Sequence, residues 1–172
     1  NGLRDRAILE LFFSTGMRIA ELVSLNVDQF KTIAKAPATD TVELPIVGKG
    51  KRTRTIFISP RAAKWLHLYL KTRRDVFSPL FVNYRSANCD DRRLTARSIQ
   101  RLVRRYADLA GVDKDVTPHT IRHSYATDLL SDGADLRAVQ ELLGHKNIAT
   151  TQIYTHVTNK RLRDIHKRHH GI

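Results

Sequence analysis

A single cysteine, Cys89, leaves this chain without the means to form an internal disulfide. A core must therefore hold by packing alone, and thiol-poor composition fits a reducing cytoplasm. No apolar run approaches the length that spans a membrane, so no membrane partner is expected. The opening residues, Asn1 to Arg6, lack the apolar centre of a secretion signal. Acidic residues are scarce too: 17 Asp+Glu face 30 Lys+Arg, for a formal net charge of +13. A field of that sign attracts polyanions and suits nucleic acid or an acidic membrane surface, but says nothing about chemistry. No internal repeat and no second domain divide the 172 residues, and that length supports one domain with a real core.

What is present reads as mainly α with a small antiparallel β-sheet, an α+β class. Apolar residues recur at helical spacing from Leu3 to Phe12 and again from Ile19 to Val23. Ser14-Thr15-Gly16 separates the two stretches, with Thr15 the expected N-cap of the second. Residues 31–40 read as a connector. Two β-like runs follow, Thr41 to Val47 and Thr53 to Ile58, around the basic turn Gly48-Lys49-Gly50-Lys51-Arg52. That pattern predicts a hairpin with Lys49 at or near its tip and, through Pro45, an edge strand. Ser59-Pro60 opens a helix to about Lys71 that buries Ala62, Trp65, Leu66 and Tyr69. Thr95 caps another helix, whose apolar face is Ile99, Leu102, Val103, Tyr106 and Leu109 and whose other face carries Arg97, Arg101, Arg104 and Arg105. Thr117-Pro118 starts a helix through Leu130. Asp135 caps Leu136 to Leu143, and Gly144 ends it. The histidines of the tail, His166, His169 and His170, read as a solvated basic end.

Three clusters carry candidate chemistry: Gly16-Met17-Arg18-Ile19-Ala20-Glu21-Leu22, His119-Thr120-Ile121-Arg122-His123, and Leu142-Leu143-Gly144-His145 with Tyr154 nine residues on. Each element has a plainer reading. Arg18 and Glu21 lie one helical turn apart and suit a surface ion pair. Lys49 suits a solvated turn, with Lys51 a competitor for any role there. Tyr154 alone suits packing, and Tyr125 is the nearest alternative, read as core. His119 and His123 with a third histidine would suit zinc, but no acidic base or cysteine pair accompanies them.

In order and spacing, Arg18, Lys49, His119-x-x-Arg122, His145 and Tyr154 resemble the active site of the tyrosine recombinase (phage integrase) family, and the wording around His145 and Tyr154 is Xer-like. The resemblance covers the whole chain and implies the catalytic-domain fold of that family over residues 1–172. It implies metal-independent DNA cleavage and religation through a 3′-phosphotyrosyl link, in site-specific recombination or integration, with no cofactor. Arg18 and Arg122 would clamp the scissile phosphate with planar, bidentate guanidinium groups, and His145 would add a hydrogen bond. Tyr154 would be the nucleophile, His119 its proton acceptor and Lys49 the general acid. Glu21 would orient the cations. Lys51, Arg52, Arg54, Arg97 and Arg101 would contact DNA phosphates, which position a protein without reading sequence.

The resemblance implies an N-terminal core-binding domain in family members, and this sequence is expected to lack it. Residues 155–172 resemble the segment that members exchange between protomers. The expected partner is double-stranded DNA, with a tetramer on two duplexes, a monomer without DNA, and a nucleoid-associated, cytoplasmic location. Two other readings stand beside this one: type IB topoisomerase-like relaxation, less favoured because that family generally has lysine where this chain has His119, and a non-enzymatic DNA-binding module.

Overall fold

A computed structural model describes residues 2–31, 40–48, 53–85, 92–144 and 155–170, of which 136 and 155–162 are described by backbone alone. The chain opens with helices α1 (Gly2–Thr15) and α2 (Ile19–Ser24), then a 3-10 turn over Val27–Phe30. Strands β1 (Val42–Val47) and β2 (Thr53–Ile58) follow, then helices α3 (Pro60–Thr72), α4 (Ala96–Leu109), α5 (Pro118–Ser131), α6 (Leu136–Leu143) and α7 (Thr155–His170). The fold is mainly α, and its described strands form one two-stranded antiparallel sheet.

The local signals for helix starts act through backbone hydrogen bonds. Ser59 Oγ accepts from Ala62 N, Thr95 Oγ1 from Ser98 N, and Thr117 Oγ1 from Thr120 N. Asp135 accepts from Arg137 N at 2.8 Å and Ala138 N at 3.2 Å. Each satisfies a donor that the first turn leaves without a helical partner. Thr15 is not the cap of α2. Its hydroxyl donates back to Leu11 O at 2.7 Å, inside α1, and Arg18 takes the extended N-cap position. The same hydroxyl accepts from Met17 N at 3.3 Å, in the turn, but it lies too far before Ile19 to reach the first N–H groups of α2.

The hairpin register runs from Val42↔Ile58 to Val47↔Thr53, with Pro45 opposite Thr55. A two-stranded ribbon leaves each strand an open edge, which accommodates the proline. Alternation in β1 buries Leu44 and Ile46 and exposes Val47.

Two apolar clusters make the core. The larger packs α1 against α3, the hairpin and α4 through residues such as Ile8, Leu11, Phe12, Ile56, Leu66 and Ile99. The smaller joins α5, α6 and α7 through Tyr125, Leu129, Val139, Leu142, Leu143 and Ile165, with Phe57 reaching in from β2. Three expected core positions differ, and Tyr106 is one of them, being only half-buried. Trp65 is half-buried, with the Arg6 guanidinium 5.0 Å over its ring. Leu109 is 71% exposed because the core does not extend to the last residue of α4, and Ala107 is buried instead.

The tail histidines are not a solvated end. His166 and His170 are buried beside Ile165. The His170 ring lies 4.5 Å from the Tyr125 ring, and His166 lies 5.9 Å from Phe57. His169 pairs with Asp132 at 2.8 Å. Spaced one turn apart, His166 and His170 form one stripe of α7, and that stripe faces the protein. Among the described residues, no helix is long and apolar enough to cross a membrane.

Candidate active site

The site forms where the two core clusters meet: the α1–α2 turn, the start of β2, the buried face of α5 and the C-terminal end of α6. Gly16 makes the turn with φ +55°. A Cβ there would sit 2.5 Å from Tyr125 Cδ1, so the left-handed turn and the close ring both require glycine. The bare turn brings its carbonyl to α5, where Gly16 O accepts from Arg122 Nη1 at 2.7 Å.

Arg18 follows at the start of α2. Its Nη1 donates to Glu21 Oε1 at 2.9 Å and its Nη2 to Gly144 O at 3.0 Å. Glu21, whose side chain is 3% exposed, also accepts the Arg18 backbone N–H at 2.8 Å and Arg54 Nη2 at 2.7 Å, both on Oε2. Burial pulls the Glu21 carboxyl upward. The hydrogen bonds and charge of Arg54, with the bonds from Arg18, outweigh that and hold it below the usual carboxylate range. Glu21 is thus an ionised tie between two arginines.

Arg122 is buried on α5, and its Nη2 donates to Leu143 O at 2.7 Å. Burial, reinforced by the charges of Arg18 and Arg54 and opposed by Glu21, pushes its guanidinium down to about 10. It remains a cation at neutral pH.

These bonds converge on one helix end. The carbonyls of Leu142, Leu143 and Gly144 accept from Arg54, Arg122 and Arg18 respectively. The last carbonyls of an α-helix lack helical partners and carry partial negative charge, so three cations suit them well. Gly144 closes the helix in the left-handed conformation at φ +66°. Three guanidinium groups then face one carboxylate, an excess of two positive charges in a partly water-excluded place. Each guanidinium carries five N–H donors, and two protein bonds exhaust neither Arg18 nor Arg122. The arrangement is chemically suited to receive an anion with several oxygens, such as a phosphodiester.

Of the site residues expected from sequence, Arg18, Glu21 and Arg122 come together here. His119 is exposed on the first turn of α5, one turn before Arg122. Arg97 and Arg101 are exposed on α4. Lys49, Lys51, Arg52, His145 and Tyr154 lie outside the described residues. Arg54 joins Arg18, Glu21 and Arg122 unexpectedly: its side chain is 11% exposed and its guanidinium bonds to Glu21 and Leu142 O. The signal that could have found it is strand parity, since Arg54 shares a face of β2 with the buried Ile56 and Ile58. The convergence on the end of α6 had no sequence signal, because carbonyls are common to every residue.

Tyr125 is sealed in the core, and burial raises its hydroxyl above the ordinary tyrosine value. Tyr84 and Tyr106 bond to Asp75 and Asp5, and Tyr69 stacks on Phe81. Among the described residues, no group of three or more histidine, cysteine, aspartate or glutamate side chains is arranged to hold a metal ion.

The chain matches the phage integrase family over residues 1–161. It is 43% identical over 175 residues to the tyrosine recombinase XerD of Lacticaseibacillus casei, covering 98% of this chain and 56% of that protein. Among solved structures it resembles XerA recombinase, with a TM-score of 0.68 and 30% identity over 97% of this chain and 58% of that one. It also resembles XerH recombinase in a pre-cleavage complex with its difH substrate, with a TM-score of 0.69 and 28% identity over 96% of this chain and 46% of that one. The chain spans about half the length of the curated relatives it matches.

Proposed function

Because the chain belongs to the phage integrase family, we propose that it is the catalytic part of a site-specific DNA recombinase that breaks and rejoins strands through a tyrosyl–DNA link. The observation that carries this reading is the meeting of Arg18, Arg122 and the end of α6, which holds two guanidinium groups together directly before His145 in the chain. The XerH neighbour bound to its DNA substrate supports double-stranded DNA as the partner.

In the proposed reaction the Tyr154 oxygen attacks the scissile phosphorus and its proton passes to His119. Arg18, Arg122 and His145 hold the non-bridging oxygens as negative charge develops on them. The bond to the 5′-oxygen breaks, and Lys49 gives that oxygen its proton. The product is a 3′-phosphotyrosyl ester and a free 5′-hydroxyl. Attack by a second 5′-hydroxyl, with the proton transfers reversed, reseals the strand. One phosphoester replaces another at each step, so no external energy source is needed. A free tyrosine hydroxyl titrates near 10, so it needs the assistance described. Lys51, Arg52, Arg97 and Arg101 serve as phosphate contacts that position the duplex. On two duplexes four copies assemble, each passing residues 155–172 to its neighbour. The packing of α7 against its own α5 is compatible with a single copy before DNA binds.

The test is a nicked suicide substrate incubated with wild type and Tyr154→Phe. Wild type should accumulate a covalent protein–DNA species while the variant binds DNA and forms none. Equal behaviour of the two would overturn the reading, and plasmid relaxation without junction products would transfer it to the type IB topoisomerases.

A further inference from the structure

The position of Arg54 between three parts of the site carries an inference of its own. It lies on β2 opposite Ile46, one step from the Val47↔Thr53 pair that ends the ladder. From there its Nη2 reaches Glu21 on α2 at 2.7 Å, and its Nη1 donates to Leu142 O at the end of α6. Its stem also packs on the turn after α6: a Cβ on Gly144 would stand 2.6 Å from Arg54 Cδ. Its Nε is buried with no hydrogen-bond partner among the described residues. One side chain therefore links the hairpin, the Arg18–Glu21 helix and the helix end that leads into His145. We propose that Arg54 is a positioning residue of this site, holding Glu21 and the α6 terminus in register so that Arg18 stays aimed at the phosphate.

The inference rests on the recombinase reading for its consequence in catalysis, but its geometry stands apart from that reading. Without Arg54, Glu21 keeps one cation instead of two, although its carboxylate remains buried. Its Oε2 then answers only to the Arg18 backbone N–H, and its Oε1 remains the sole partner of the Arg18 side chain within α2. Leu142 O loses a donor at the point where the helix stops. Lysine in place of Arg54 restores the charge next to Glu21, but a single ammonium lacks the planar fork that serves Glu21 and Leu142 O together. A phosphate contact and a positioning residue separate cleanly in kinetics. A lost phosphate contact weakens DNA affinity and lowers its salt dependence. A lost positioning residue leaves affinity alone and slows the chemical step.

The experiment compares wild type, Arg54→Ala, Arg54→Lys, Glu21→Gln and the Glu21→Gln/Arg54→Ala pair in single-turnover cleavage of the nicked substrate at saturating DNA, with Kd measured separately. Arg54→Ala should slow cleavage by about 100-fold, the scale on which small misplacements of a reacting group act. Its Kd should stay within about threefold of wild type, since the group is turned inward to Glu21 and Leu142 O. Arg54→Lys should recover part of the rate, and the double variant should be no slower than the worse single one, because both act through one linkage. Alongside, the side-chain N–H signal of Arg18 is followed by NMR in wild type and Arg54→Lys without DNA, with thermal melting to establish that each variant is folded. The Arg18 signal should move. Unchanged cleavage, or a loss confined to Kd, overturns the proposal while wild-type cleavage preserves the recombinase reading. If wild type fails to cleave, that reading falls, and the Arg18 signal alone decides whether Arg54 positions it: an unmoved signal overturns the proposal.

Discussion

Acidification should loosen the packing of α7, and the size of the effect follows from one buried imidazole. His166 has no exposed surface. Its Nε2 faces Ser14 O, an oxygen that can only accept, so the ring proton sits on Nε2. Its Nδ1 is then bare, buried and without a partner among the described residues. Burial, opposed by the bond to Ser14 and reinforced by His170, pushes His166 down to about 4 from an ordinary 6.5. A base held neutral in the fold stabilises it fully above 6.5 and loses that contribution as pH falls toward 4. The whole gap corresponds to about 3 kcal/mol, and lowering pH from 7 to 5 removes about 2 kcal/mol of it. Burial pushes His170, beside Asp128, Asp132 and His169, in the same direction. The assay is urea denaturation of wild type and His166→Leu at pH 7 and pH 5, with hydrogen exchange over residues 155–170. Wild type should lose about 2 kcal/mol more than the variant over that interval, and α7 amides should exchange faster at pH 5. An identical pH dependence in the variant would refute the reasoning.

Two further outcomes follow from the site. Gly16→Ala imposes a left-handed conformation on alanine and drives its Cβ into the Tyr125 ring, which is backed by His170. It should cost about 2–4 kcal/mol in urea denaturation, and a loss under about 0.5 kcal/mol would show that the turn tolerates a side chain. Arg122→Lys leaves Gly16 O and Leu143 O sharing one ammonium and removes the fork aimed at phosphate. Cleavage at saturating DNA should fall by at least about 100-fold with the protein still folded, and a retained rate would remove Arg122 from its assigned role.

Features set by a few adjacent residues were legible from sequence. Ser59, Thr95, Thr117 and Asp135 cap helices because the acceptor and its N–H lie within three residues of each other. The hairpin strands were legible as two β-like runs on either side of a glycine-rich, basic stretch, and the fold then gave their register. Thr15 failed as a cap because α1 runs through it and α2 begins only at Ile19, so its hydroxyl serves Leu11 O and Met17 N instead. The histidines of α7 were misjudged because composition reports polarity and not what lies opposite a helix face. Phe13, Phe57 and Tyr125 come from three other elements to cover them. The surroundings of Arg54 were not legible for the same reason: its neighbours in sequence are basic and polar, while its neighbours in space are a glutamate and a helix end. Within the candidate site, sequence order proposed the participants, and only the fold supplied the carbonyls that hold Arg18 and Arg122 in place.

The most direct test is to identify the residue that becomes joined to DNA. Wild-type protein trapped on a nicked substrate is digested, and the DNA-linked peptide is sequenced by mass spectrometry. The expected peptide carries the nucleotide on the Tyr154 oxygen through a 3′-phosphate. A nucleotide on any other side chain, or DNA fully bound with no linked peptide, would contradict the account.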